Sequence, residues 1–178
     1  MAGLTHKEEQ GIIWDYFKPR HTHSWNMLVL SWRDLNSHNR EIRDDESGFE
    51  VEYSWENFIL RLWLYRTTVK TLTKLTAIKI EAEGVIHAFD AAFDVRGRNG
   101  LKAIRDIIEH FDDYAVGLGR GPAKRENDLD PWRLITADRY ERGDFLLERN
   151  QSYDAAIKMR SDARNVGDKF IQWYNSPK

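Results

Sequence analysis

Arg105, Asp106 and His110 are the residues of this 178-residue chain whose types and spacing could do chemistry. They lie in the stretch LKAIRDIIEHFDDY, from Leu101 to Tyr114. A histidine can give or take a proton near neutral pH, here from a ribose hydroxyl or to a leaving oxygen. An arginine can hold a phosphate through two parallel hydrogen bonds and stabilise the charge that grows on it. Together they describe ribonuclease chemistry. Arg96, Arg98 and Lys102 just upstream could add an RNA track, with Arg120, Lys124 and Arg125 beyond. Glu109, Asp112 and Asp113 would repel the same phosphates. The bland alternative is an arginine in a salt bridge at a helix edge and a histidine that is only a polar surface residue.

The segment from about Asn99 to Ala115 must position these groups. At ~100° per residue, Leu101, Ile104, Ile108, Phe111 and Ala115 fall on one face, which reads as an amphipathic helix packed into a bundle. Arg105 and His110 are then ~140° apart around the axis. They are not neighbours on one helix, so a second surface must close the site, for example the same helix of another subunit. Arg33, Asp34 and His38 in WRDLNSH repeat the pattern. That copy runs off its helix into a polar loop and ranks lower.

Helical periodicity dominates the rest of the chain. Ile12, Ile13, Tyr16 and Phe17 recur at helical spacing, as do Trp25, Leu28, Val29 and Trp32. Pro19 between them is expected to kink or split the segment. Asn36 to Gly48 reads as a polar loop. A second long helix is expected from near Ser54, with Trp55, Phe58, Ile59, Leu62 and Trp63 as its stripe and Val69, Leu72 and Leu75 extending it. Gly84 would end or bend it, and a shorter piece would run from Val85 to Phe93. Arg96 to Gly100 is a turn, and Gly117 to Pro131 an exposed loop. Arg133 to Thr136 and Phe145 to Glu148 could pair as a small hairpin around Glu141 to Asp144. A last helix is expected from Ser152, a good N-cap, with Ile157, Ala163, Val166, Phe170 and Trp173 on its apolar side, ending before Pro177. The sum is an all-α chain: one helical domain over 1–178, an up-down bundle of four to five helices with a small β-hairpin before the last.

Composition bounds the function. Apolar residues make up 41% of the chain and include seven Trp, enough for a sizeable core. The net charge of −2 argues against a uniformly basic nucleic-acid protein but leaves room for a local basic patch. The absence of cysteine removes disulfides, thiol catalysis and zinc–thiolate sites. No secretory signal and no bilayer-length apolar run is seen, so a cytoplasmic protein without a membrane partner is expected.

Weaker signals point elsewhere. His21 and His23 lack carboxylate partners for a metal. Glu83 and His87 share a helix face without the paired motif of di-iron bundles. Gly117, Gly119 and Gly121 lack a phosphate-loop lysine. Trp14, Trp25, Trp32, Trp55 and Trp63 read as core rather than a ligand box.

The string IRDIIEHFDDY resembles the signature helix of HEPN-like domains, whose pattern is an arginine, a polar residue, a few further positions and a histidine. Arg105, Asp106 and His110 match those places, and Glu109 to Asp112 match the Glu-His-Phe-Asp that related bacterial proteins tend to carry. The close match covers about 15 residues, from which the resemblance extends to the general helical architecture. It implies an all-α bundle that forms a homodimer, with the motif helices of two subunits meeting at a cleft. It implies an RNA-acting protein whose active form is a metal-independent endoribonuclease of a toxin or defence system, without a cofactor. His110 would be the acid/base, Arg105 the phosphate contact, and Asp106 the residue that tunes or orients the arginine. Partners would be RNA, a second copy, and a cognate antitoxin or regulatory protein. The rival reading is a noncatalytic helical bundle that uses the same helix only for dimerisation or partner binding.

Overall fold

The structure, a computed structural model, describes residues 4–38, 47–110, 135–142 and 144–177. These residues form an all-α bundle of five helices with two small antiparallel strand pairs. In chain order they are α1 (His6–Ser37), α2 (Ser47–Lys70), α3 (Lys79–Ala91), β1 (Asp94–Val95), β2 (Arg98–Asn99), α4 (Gly100–Glu109), β3 (Arg139–Arg142), β4 (Phe145–Glu148) and α5 (Arg149–Asn175). One connected cluster of buried side chains runs through all five helices and the β3–β4 hairpin.

α1 starts at a reciprocal cap. The Thr5 hydroxyl accepts from the Glu8 backbone N–H, and the Glu8 carboxylate accepts from the Thr5 N–H at 2.7 Å. Pro19, expected to kink or split the segment, does not split it: α1 runs through it unbroken. Its ring is exposed, while Phe17 and Trp25 on either side are anchored in the core. The one backbone bond that proline forfeits lies on the wet side, where water can take the freed carbonyl.

α2 begins at Ser47, well before the expected Ser54. Ser54 does not cap; its hydroxyl donates to Asp34 Oδ2 at 2.8 Å and so ties α2 to α1. The expected loop at Asn36 to Gly48 is thereby shortened at both ends, and its centre lies outside the described residues.

Gly84 neither ends nor bends a long helix. It lies inside α3, exposed, and the break comes earlier, at two 3₁₀ turns over Thr71–Lys74 and Thr76–Ile78. Leu72, Leu75 and Ile78 recur every third residue and are all buried, which suits the three-residue turn. The buried Gln10 side chain accepts from the Thr76 N–H at 2.7 Å and pins the break to α1.

β4 lies where the sequence placed it, but its partner is β3, not Arg133 to Thr136; the register sets Arg139 opposite Glu148 and Arg142 opposite Phe145. Ile135 adds a single bridge to Tyr140. Pairing with Arg139–Arg142 buries Tyr140, Phe145 and Leu147 together.

α5 starts at Arg149, earlier than Ser152. The Asp138 carbonyl accepts from the Arg149 N–H at 2.9 Å, and the Asp138 carboxylate pairs with its guanidinium at 2.7 Å. Ser152 is buried in the stripe that continues through Ala156, Met159, Ala163 and Phe170. Ile157, expected on that stripe, is instead 46% exposed.

Candidate functional site

The tight turn before α4 sets where the motif begins. Arg96 and Gly97 both take positive φ, 52° and 81°, the mirror-image turn that suits a two-residue hairpin loop between β1 and β2. Asn99 then caps α4, its side chain accepting from the Lys102 N–H at 2.9 Å. Leu101, Ile104 and Ile107 are buried, with Ile108 half-buried beside them. Ile107 thus joins the stripe that spacing had assigned to Leu101, Ile104 and Ile108. The expected helix to Ala115 is described only to its C-cap, His110, whose N–H donates to the Asp106 carbonyl at 3.1 Å. Residues 111–134, including the expected loop at Gly117 to Pro131 and the basic residues at 120, 124 and 125, lie outside the described residues.

Arg105 is 16% exposed along its side chain and is clamped. One Nη meets Asp106 at 2.8 Å and the other meets Glu109 one turn on. Its guanidinium lies over the Trp63 ring of α2, 4.7 Å from the centroid. Arg66 approaches the same ring at 4.7 Å and holds Asp90 of α3 through its Nε at 2.6 Å. Trp63 is therefore an aromatic platform between two carboxylate-paired arginines rather than simple core. His110 is exposed at the end of the helix.

The three expected RNA contacts are solvent-facing. Arg96 and Arg98 flank the hairpin tip, and Lys102 sits in the first turn of α4. Among the described residues, Arg96 makes a long 3.9 Å approach to Asp144. Lys102 and His110 are eight positions apart, or ~12 Å of helix rise, so the basic group and the histidine mark opposite ends of one helix. Within one subunit, Arg105, Asp106 and Glu109 form a contiguous charged knot, and His110 stands beside it without joining it.

The lower-ranked copy of the pattern makes the denser network. Ser54 Oγ donates to Asp34, and His38 Nε2 lies 3.0 Å from the same oxygen. With its one proton committed to Asp34, the hydroxyl accepts from His38. Ser54 is 3% exposed, so the trio braces the end of α1 against α2 and offers no accessible nucleophile.

His21 and His23 do not converge. His23 is exposed, whereas His21 Nε2 meets the buried Tyr65 hydroxyl at 2.9 Å. Burial, then the charges of Arg160 and Arg164, lower the His21 pKa from 6.5 to about 4. Protons therefore bind the unfolded chain better than the folded one between those values. The stabilisation is fully present above the unfolded pKa and is lost as the pH falls through the folded one. Because the ring keeps some solvent contact, the loss is about 1–2 kcal/mol rather than the full linkage value. Urea unfolding at about pH 7 and pH 4.5 should show wild type losing that much more than His21→Gln. Parallel losses in the two proteins would contradict this account.

No family model, no curated protein and no solved structure matches this chain. No helix among the described residues is long and apolar enough to cross a membrane. Function is therefore read from residues and geometry. Sequence reasoning missed Glu109 as a partner of Arg105, although its one-turn spacing is the signal for such a pair. It also missed the Trp63 platform, which no local spacing could reveal, because α2 supplies it from 42 positions upstream.

Proposed function

We propose that this chain is a HEPN-like, RNA-acting protein that works as a homodimer, with α4 of each subunit contributing Arg105 and His110 to a shared cleft. Its activity is metal-independent RNA cleavage in a toxin or defence setting, with an antitoxin or regulatory protein as cognate partner. The observation that carries this reading is the Asp106–Arg105 pair at 2.8 Å. It orients the guanidinium beside Trp63, on the same turn of α4 that ends in an exposed histidine. His110 serves as proton donor and acceptor, Arg105 holds the phosphate, and Arg96, Arg98 and Lys102 guide the strand.

Glu109 favours the second reading, a noncatalytic bundle that uses α4 for association. It takes the second edge of the guanidinium, so Arg105 carries a carboxylate on each arm and would meet a phosphate already neutralised. One substitution separates the two. Glu109→Gln frees one arm of Arg105, and metal-free RNA cleavage should rise about tenfold, whereas Arg105→Ala should lower it by a comparable factor or more. Cleavage unchanged in both variants would leave the association reading in its place. Growth arrest on expression that vanishes in Arg105→Ala would support the toxin setting.

A further inference from the structure

The bundle treats its sheltered arginines consistently, with one exception. Arg66 faces Asp90, Arg105 faces Asp106 and Glu109, and Arg149 faces Asp138. Arg160 of α5 is half-buried with its guanidinium 4.3 Å from the Trp25 ring centre, and no carboxylate among the described residues pairs with it. Its Nε is buried and finds no acceptor among those residues. A charge of its own sign acts on it: Arg164, one turn along α5 and exposed. Both arginines act on the bonded His21–Tyr65 pair, in which α1 supplies the histidine and α2 the tyrosine.

A sheltered cation with an unfilled donor and a second cation beside it is costly unless an anion completes it. Burial and Arg164 both push the Arg160 pKa down, the direction expected of a guanidinium lacking its counter-charge. The Trp25 ring lies against the Arg160 guanidinium, and a planar fork held on an aromatic ring is the donor set that matches two oxygens of a phosphate. We propose that Arg160 and Arg164 form a binding notch for a phosphate group between α1 and α5, with Trp25 as the platform that fixes the Arg160 fork. The phosphate comes from an RNA strand or is free inorganic phosphate; the chemistry at the notch is the same. Arg105 and His110 play no part in it, so the notch stands or falls separately from the proposed function of α4.

Arginine Nε resonances of the full chain report on this directly. Inorganic phosphate should move the Arg160 Nε signal and saturate it, and a short single-stranded RNA should move the same signal. Arg164→Gln, an exposed change that leaves the core intact, should weaken phosphate binding about tenfold, and Arg160→Lys, which keeps the charge but loses the fork and is followed at the Arg164 Nε signal, at least as much. Lys158→Gln, which removes a charge already paired with Asp162 on the same helix, should change it by less than about twofold. Saturation by RNA at far lower concentration than by phosphate makes the strand the source; equal concentrations make it free phosphate. Either keeps the notch. No movement of the signal with either ligand, or equal weakening in Lys158→Gln and Arg164→Gln, overturns it.

Discussion

His110→Ala should slow metal-free RNA cleavage by about 10²–10⁴-fold, the usual worth of a positioned acid or base. The side chain is exposed at the C-cap of α4 and makes no buried contact among the described residues, so its loss should leave the bundle intact. Circular dichroism and the unfolding midpoint should match wild type, which separates a chemical defect from a folding defect. The shared cleft makes a sharper demand. Arg105 and His110 diverge by ~140° on their own helix, so a working pair takes its arginine from one subunit and its histidine from the other. Arg105→Ala and His110→Ala subunits, each strongly impaired alone, should then recover activity when mixed. Random reassortment makes about half of the dimers mixed, each with one complete cleft, or about a quarter of wild-type activity. A mixture as silent as its components would rule out the composite cleft. Cleavage by His110→Ala at the wild-type rate would remove the histidine from the chemistry altogether.

Trp55→Ala should cost about 3–5 kcal/mol of folding stability, the largest effect expected of any single core truncation in this chain. Trp55 is fully buried in α2, with Phe58 and Tyr140 rings both 5.9 Å away. Its indole N–H donates to the Thr136 carbonyl at 2.6 Å. That bond joins α2 to the segment leading into the β3–β4 hairpin. Truncation leaves a cavity the neighbouring rings cannot collapse into, and strands the Thr136 carbonyl without its donor. Trp55→Phe keeps most of the ring and loses only the donor, so it should cost about 1–2 kcal/mol. Urea unfolding followed by circular dichroism gives both values. Less than about 1 kcal/mol for Trp55→Ala would mean the hairpin is not held by this contact.

The amphipathic face of α4 was legible because its period is local: Leu101 and Ile104 must share a side of any helix they form. The turn at Arg96 and Gly97 was legible for the same reason, with a glycine where the chain reverses. The places where helices start and stop were less so. Pro19 breaks a helix only if the lost bond faces the interior, and nothing near Pro19 in the sequence says that it faces water. Ser54 and Ser152 have the side chains of N-caps, yet both are buried inside helices. Val51 is already buried in the core ahead of Ser54, and Arg149 is already tied to Asp138 ahead of Ser152. Gly84 looked like a terminator, but the three-residue spacing of Leu72, Leu75 and Ile78 had the stronger claim on the core.

At the candidate site the same division holds. By itself, the sequence determined which groups α4 carries and on which side of the helix each one stands, because a helix imposes its own period whatever surrounds it. It also determined that Glu109 could reach Arg105, one turn away. Only the tertiary structure decided that Trp63 would lie under that arginine, that Asp34 and His38 would share a buried serine, and that Arg160 would be sheltered with no carboxylate partner among the described residues. Those outcomes depend on how residues tens of positions apart are brought together as the helices pack, and packing is settled by the volume and shape of the whole core rather than by any local repeat.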